Sequence, residues 1–306
     1  MLQIPSKTTK YSGWLNLIKP KGISSAALVS TIKNLLDSSL GRGMHKVGHA
    51  GTLDPLASGV LPIAIGKATR LIEYLTPGYK CYEFTIRFGQ RTDTGDLEGK
   101  IVEESGNIPS LKEVQSKTDC FIGQISQVPP IYSAIKVNGE RSYKLARQNK
   151  SIDLAARNIE IKTLNLISYQ ADKKEASYLT KCSSGTYIRS LGEDIAKSLN
   201  TCGVISDLIR KACGEFEFDN AFDVFAINSE NRLDQVLKRL LPLDFILSNM
   251  EKIILNADQS TKVQQGLSLK GLNYKAGPFV AYHERLLIAI GSVDSSGVFK
   301  AKKVLK

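Results

Sequence analysis

Residues 46–62 read KVGHAGTLDPLASGVLP. In this run one carboxylate, Asp54, stands among Gly48, Gly51, Gly59, His49, Pro55 and Pro62. Gly and Pro bend a backbone, and Asp caps nearby amides, so an ordinary turn is one reading. The other is a loop shaped to present Asp54 as a reactive group.

Reading outward, GWLNLIKPKGISSAALVSTIKNLL (13–36) predicts a strand, a Lys-Pro-Lys-Gly turn and a helix. The helix is capped by Ser24 or Ser25 and has Leu28, Val29, Ile32, Leu35 and Leu36 on one face. VLPIAIG (60–66) predicts a strand. ATRLIEYL (68–75) places Ala68, Leu71, Ile72 and Leu75 at helical spacing. KCYEFTIRFG (80–89) alternates, Tyr82, Phe84, Ile86 and Phe88 against Glu83, Thr85 and Arg87, as a half-buried strand does. A turn-rich connector, RTDTGDLEGK (91–100), leads to a short strand, IVEE. SLKEVQSKTDCFIG (110–123) is helical in pattern. QVPPIYSAIKVNGERSYKLARQNK (127–150) predicts an extended segment, a strand, an Asn-Gly turn and a basic helix. TLNLISYQ and ASYLTKCSS flank the turn ADKKE as a hairpin. TYIRSLGEDIAKSL (186–199) is a helix with Ile188, Leu191, Ile195 and Leu199 on one face.

Hairpin signals outnumber βαβ units, so the fold class is α+β, with a mixed, largely antiparallel sheet flanked by helices. A chain of 306 residues, 42% hydrophobic, suffices for one large domain and one small one. LPLDFILSN (241–249) closes the first, giving domains at 1–248 and 249–306, the second built from short strands and Gly turns without a clear long helix. Residues 251–306 hold nine Lys and Arg against four Asp and Glu, a net of +5, and the whole chain carries +11. This balance favours a polyanionic partner. The chain has no apolar run of membrane-spanning length and no signal-peptide core at its start, so a cytoplasmic protein without a membrane is expected. Cys81, Cys120, Cys182, Cys202 and Cys213 show no CxxC pair, which argues against a disulfide framework or a zinc site and makes most of them small buried hydrophobes. With only His45, His49 and His283, a histidine-based metal site is not expected.

Several signatures fail on single residues. GKAT (66–69) has Leu61 where a phosphate loop needs Gly, and Ala68 where it needs Ser or Thr. GRGMHK (41–46) lacks the third glycine of a dinucleotide fingerprint, and the acidic turn from Asp93 has Glu98 where a calcium loop needs Gly. Ser58 and Ser184 have no nucleophile-elbow frame. What survives is a basic chain with an isolated Asp in a glycine-rich loop.

The stretches KVGHAGTLDPLASGVLPIAIGKATRLIEYL, FGQRTDTGDLEG, PPIYSAIKVNGERSYKLAR, SSGTYIRSLGEDIA and the segment around Leu208 and Arg210 resemble, in that order, the successive motifs of the TruB family of tRNA pseudouridine synthases. The resemblance spans roughly residues 13–218, and LLIAIGSVDSSGVFKAKKVLK is similar to the PUA-like RNA-binding domain of bacterial members. It implies the pseudouridine synthase fold and an isomerase that converts the uridine at position 55 of the tRNA T arm to its carbon-linked isomer, with neither cofactor nor metal. The nucleotide is flipped from the folded RNA, and its glycosidic bond is cleaved and re-formed.

The same resemblance assigns roles. Asp54 falls on the catalytic aspartate, which adds at C6 of the base, attacks C1′ of the sugar, or takes a proton from C2′. Tyr82 is the stacking surface, although a tyrosine heading the apolar face of a strand is by itself a core residue. Arg189 pairs with the catalytic carboxylate; by spacing alone it would pair with Glu193 along its helix. Tyr187 and Leu208 wall the pocket, where Leu208 unaided would read as ordinary core. His49 helps open the RNA loop, and Arg70 contacts a phosphate. Lys19, Lys136 and Arg147, with Arg141 and Lys144 interleaved among Tyr132 and Tyr143, form RNA-contacting stretches. The expected partner is tRNA, bound by a monomer with no obligate protein partner. Cys202-Gly203-Val204 and Ile209 depart from the family pattern. A non-catalytic RNA binder on the same scaffold is the competing reading; a guide-RNA-dependent relative fits the compact C-terminal region and short tails less well.

Overall fold

The order of elements follows from where apolar residues alternate and where Gly, Ser and Pro interrupt them. The computed structural model describes residues 11–43, 45–75, 77–133, 135–137, 139–148 and 153–305. Strand β1 (Gly13–Lys19) is buried almost throughout and leads through the Lys-Pro-Lys-Gly turn into α1 (Ser25–Leu40). Ser24 is the cap, its hydroxyl accepting from the Ala27 amide at 3.1 Å. Ser25 instead turns inward. Leu28, Ile32, Leu36 and Leu40 form the buried stripe of α1.

After β2 (Val47–His49) the quoted loop delivers the chain to β3 (Ser58–Ile65). Residues 66–75 are not one α-helix. Gly66–Leu71 is a 3-10 helix and only Ile72–Leu75 (α2) is α, because Gly66 starts at φ 60° and its carbonyl accepts the Thr69 hydroxyl at 2.8 Å. Ala68, Leu71 and Leu75 still face the core.

Strand β4 (Lys80–Phe88) buries Lys80, Tyr82, Phe84, Ile86 and Phe88 and half-exposes the residues between, as its alternation requires. The hairpin of β5 (Gln90–Thr92) and β6 (Ile101–Glu104) brackets the acidic turn. Next come α3 (Leu111–Thr118), capped by the reciprocal bonds of Ser110 and Glu113, and β7 (Gly123–Gln127). Two-residue strands β8 (Lys136–Val137) and β9 (Glu140–Arg141) pair around Gly139 at φ 87°, where the Asn-Gly turn was expected; Asn138 lies outside the described residues. Helix α4 (Ser142–Arg147) follows.

The long hairpin of β10 (Arg157–Gln170) and β11 (Glu175–Cys182), the helix α5 (Ile188–Ser198), and the strands β12 (Gly203–Cys213) and β13 (Phe216–Glu217) complete the large sheet. Its order is β1-β3-β12-β4-β11-β10-β7, with β2 on β3 and β13 on β12. Among the described residues, only β3–β12 is parallel within it. That contact needs Gly59, since a Cβ there would stand 2.3 Å from the Arg210 carbonyl oxygen.

Beyond α6 (Arg232–Lys238), a second sheet of β14 (Glu251–Ile254), β15 (Gly277–His283), β16 (Leu286–Val293) and β17 (Phe299–Val304) is covered by α7 (Ala257–Gln264). It has its own core around Phe279 and Phe299. A further apolar cluster joins it to the large sheet: Val280, Tyr282, Ile290 and Leu305 pack with Trp14, Val60, Ala64 and Phe216. The Tyr282 hydroxyl donates to Asp244 at 2.7 Å, and Lys303 pairs with Glu73 at 2.7 Å. Among the described residues no helix is long and apolar enough to cross a membrane. Cys182, Cys202 and Cys213 are buried thiols, whereas Cys81 is half-buried and Cys120 exposed.

Candidate active site

The loop between β2 and β3 is fixed from three directions. The Ser25 hydroxyl accepts from the Leu53 amide at 2.8 Å and donates to the Leu53 carbonyl at 2.9 Å. Arg210 donates to the Gly51 carbonyl at 2.9 Å and to that of Val60 at 2.7 Å. Lys19 donates to the carbonyls of Ile23 at 2.8 Å, Pro20 at 2.9 Å and Pro55 at 3.4 Å. The quoted loop is therefore more than a turn: its carbonyls are tied to distant segments, and Asp54 is left at its apex.

This corrects the expectation for Lys19. Its side chain is fully buried, which removes it from any RNA-facing surface, and its ammonium binds main-chain oxygens beneath the loop. Burial draws its pKa down to about 8, against the opposing pull of Asp54.

Asp54 keeps its carboxylate partly in solvent, at 39% exposure, and bonds Arg189 Nη2 at 2.9 Å, while Arg189 itself is 6% exposed. Arg189 sits in the first turn of α5, and its guanidinium is held on every side. Nη1 donates to the Thr94 carbonyl at 2.7 Å and lies 3.8 Å from Asp96; Nη2 also donates to the Tyr132 carbonyl at 2.9 Å. The pairing with Glu193 that helical spacing alone would suggest is not the one that forms. Asp96 is held in turn by the Thr94 hydroxyl at 2.6 Å and the Glu98 amide at 3.2 Å. The acidic turn after β5 thus locates Arg189. Gly95 is required there, with φ 76° and a Cβ position 3.3 Å from the Arg189 Cβ. The start of α5 is set by Gln127, whose side-chain amide donates to the Tyr187 carbonyl at 3.1 Å and whose oxygen accepts from the Tyr187 amide at 2.8 Å.

Asp54 and Arg189 border a cavity of about 260 Å³ walled by Tyr82, Tyr187, Leu208, Lys80 and Arg210. Tyr82 belongs to the main core cluster and also faces this cavity, so its two readings coincide. Burial pushes its phenol up to about 12, with the Arg210 guanidinium, its hydrogen-bond partner, pulling the other way. Leu208 is 6% exposed and its side chain is a cavity wall as well as core. Burial likewise raises the Tyr187 pKa. On the far side of Asp54 a second cavity of about 270 Å³ is lined by Asp96, Glu98, Tyr132 and Tyr143. Burial and the nearby Asp96 and Asp54 carboxylates raise the Glu98 pKa.

The structure therefore gathers Asp54, Tyr82, Arg189, Tyr187 and Leu208 around one hollow. It does not bring the remaining candidates there. His49 ends β2 outside the lining, its Nδ1 buried and, among the described residues, without a hydrogen-bond partner, and its pKa is lowered, first by burial and then by Arg210. Arg70 and Lys136 are exposed on the surface, as are Arg141 and Lys144; the side chain of Arg147, the last residue of α4, lies outside the described residues. Asp96, Lys80 and Gln127 belong to the site without having been singled out in the sequence. For Asp96 a signal existed, in the acidic turn RTDTGD. Among the described residues no cluster of His, Cys, Asp and Glu converges as a metal site.

Residues 39–188 match the model of the TruB family pseudouridylate synthase N-terminal domain. A tRNA pseudouridine synthase B of Rickettsia bellii is 41% identical over 286 residues, covering 93% of this chain and 95% of that one. The chain belongs to the TruB family of pseudouridine synthases. A second TruB-family relative, a tRNA pseudouridine synthase B of Zymomonas mobilis, is 38% identical over 290 residues and covers 95% of both chains. The solved structure of a Cbf5-Nop10-Gar1 complex superposes with a TM-score of 0.70 over 96% of this TruB-family chain and 85% of that one; at 23% identity it shows a shared fold.

Proposed function

We propose that this TruB-family enzyme isomerises the uridine at position 55 of the tRNA T arm to pseudouridine. The observation that carries this reading is the ion pair of Asp54 and Arg189 at the mouth of a cavity walled by Tyr82, Tyr187 and Leu208. A uridine paired and stacked in RNA cannot reach Asp54, so the nucleotide is turned out into the cavity, at a cost of a few kcal/mol that stacking on Tyr82 offsets in part. Leu208 and Tyr187 exclude water from the ring. Arg189, locked by Thr94, Tyr132 and Asp96, pairs with Asp54 at 2.9 Å and aims one of its oxygens. That carboxylate breaks the bond between C1′ and N1 by one of the three routes open to it. The freed pyrimidine rotates within the closed hollow and rejoins the sugar through C5, whose proton then leaves. Atoms balance without an external electron source.

Affinity comes from phosphate contacts of exposed cations: Arg70, Lys136, Arg141 and Lys144, with His49 beside the opened RNA loop and the basic C-terminal unit, residues 249–306, extending the footprint as a PUA-like module. The protein acts as a cytoplasmic monomer on tRNA alone. Tritium release from a 5-tritiated T-arm transcript tests the reading. Wild type releases tritium and Asp54→Asn does not, while both bind RNA within a few-fold of each other. Release by the Asn variant removes Asp54 from the chemistry, and none by wild type favours a non-catalytic binder.

A further inference from the structure

Two cations besides Arg189 stand in the wall of the cavity, at its buried end. Lys80 opens β4 two residues before Tyr82, on the same face; it is 8% exposed, and its Nζ lies 3.3 Å from the Ser184 hydroxyl. Arg210 is fully buried and donates to the Val60 and Gly51 carbonyl oxygens and to the Tyr82 hydroxyl; among the described residues it forms no ion pair. Both reach one spot. A Cβ placed on Gly51 would stand 3.3 Å from Arg210 Nη1 and 3.5 Å from Lys80 Cε. Burial, reinforced by the Arg210 charge, holds the Lys80 pKa below the usual lysine range. Two like charges held together out of water are unfavourable in the free protein, and an anion lodged beside them relieves that repulsion.

The geometry points to Lys80 and Arg210 as the groups that hold the negative charge carried by the pyrimidine while it is detached from its sugar. The inference rests on the function proposed above. When the C1′–N1 bond breaks, its electron pair stays with the base and is shared between N1 and O2. The sugar carbon is balanced either by a new bond to an Asp54 oxygen or by loss of its C2′ proton to Asp54. Initial addition at C6 likewise leaves an enolate on the ring, so each route produces an anionic pyrimidine. When C5 bonds to C1′, that charge is discharged; C5 later loses its proton and N1 gains one. A backbone phosphate is the other anion the substrate offers. It belongs to a continuous chain that must enter and leave through the mouth, where Asp54 is 39% exposed, and not to the dry end where Arg210 is fully buried.

The test compares uridine with 5-fluorouridine at the target position of a T-arm stem-loop, under single-turnover conditions. Loss of the parent nucleoside is followed by mass spectrometry of digests. Fluorine acidifies the pyrimidine, so its anion needs less help. Lys80→Met lowers the uridine rate about 100-fold, in the range seen when one charge-stabilising donor is removed. It raises the 5-fluorouridine-to-uridine rate ratio at least about 10-fold, and RNA affinity stays within about 3-fold. Ser184→Ala, which removes the hydroxyl 3.3 Å from the Lys80 ammonium, moves the ratio in the same direction by about 3-fold and covers the case in which Lys80→Met fails to fold. An unchanged ratio in these variants overturns the inference, as does a loss confined to RNA affinity, which would assign Lys80 to a phosphate. Wild type inactive on the uridine substrate would instead remove the proposed function itself.

Discussion

Gly95→Ala tests whether the acidic turn governs the ion pair of Asp54 and Arg189. The residue lies at φ 76°, and its carbonyl accepts from the Ile205 amide at 3.1 Å, so the turn is tied to β12 and cannot simply swing away. An alanine there suffers the left-handed backbone penalty of roughly 1–2 kcal/mol. Its methyl would sit 2.9 Å from Glu193 Oε1, the far end of a flexible side chain that yields at little cost, and 3.3 Å from the Arg189 Cβ, which must retreat by a few tenths of an ångström. That retreat disturbs the bond from Arg189 Nη1 to the Thr94 carbonyl, 2.7 Å long. A misplacement of about 1 Å can lower a rate about 100-fold, so the smaller shift should lower single-turnover tritium release about 10-fold. The melting temperature should fall by about 2–4 °C, as about 1–2 kcal/mol does in a protein of this size. RNA affinity should hold. A normal rate with a lowered melting temperature would refute the idea that the turn positions Arg189, and a weakened affinity with a normal rate would reassign the turn to binding.

Other outcomes follow from the same geometry. Lys19 has a folded-state pKa of about 8 against an unfolded value of about 10.4, so the unfolded chain binds more protons between them. Wild type should therefore gain stability relative to Lys19→Met as the pH rises through that window; urea melts at each end check this, and a relative loss would contradict it. Ile290→Ala, in the cluster shared by the two sheets, should destabilise the protein by about 2–4 kcal/mol in a single calorimetric transition, whereas Lys303→Ala, which breaks an exposed ion pair with Glu73, should shift it by less than about 1 kcal/mol. Two separated transitions for the Ile290 variant would show that the sheets do not share their stability. Binding of tRNA should weaken steeply between low and moderate salt, and a flat titration would deny the basic surface its role.

Strong periodicity was readable without coordinates. In β4 the alternation from Tyr82 to Phe88 is buried on the expected face, and α5 buries Ile188, Leu191 and Ile195 as its spacing demands. Where periodicity misleads, a local bond decides: the Thr69 hydroxyl and the positive φ of Gly66 turn the start of an apparent α-helix into a 3-10 turn. α7 escaped notice because only Ser260 and Val263 of its eight residues are buried, too few to leave a pattern. Lys19 shows a different limit. A lysine in a Lys-Pro-Lys-Gly turn reads as solvated charge, and only the arrival of Pro55 from across the fold makes it internal. Asp54 and Arg189 lie far apart in the sequence, so neither charge implies the other from composition or spacing; their meeting at 2.9 Å is a product of sheet order.

The anchoring of the Asp54 loop also sets a schedule for the newborn chain. Gly51 relies on a donor at position 210, and Leu53 on a hydroxyl at position 25. A ribosome that has released only the first half of the polypeptide has made the carboxylate but not the strand that steadies it, and contacts spanning such distances along the chain form late. Premature termination before β12 should therefore yield fragments that are inert toward RNA, so that partial products never modify a transcript with a half-built site.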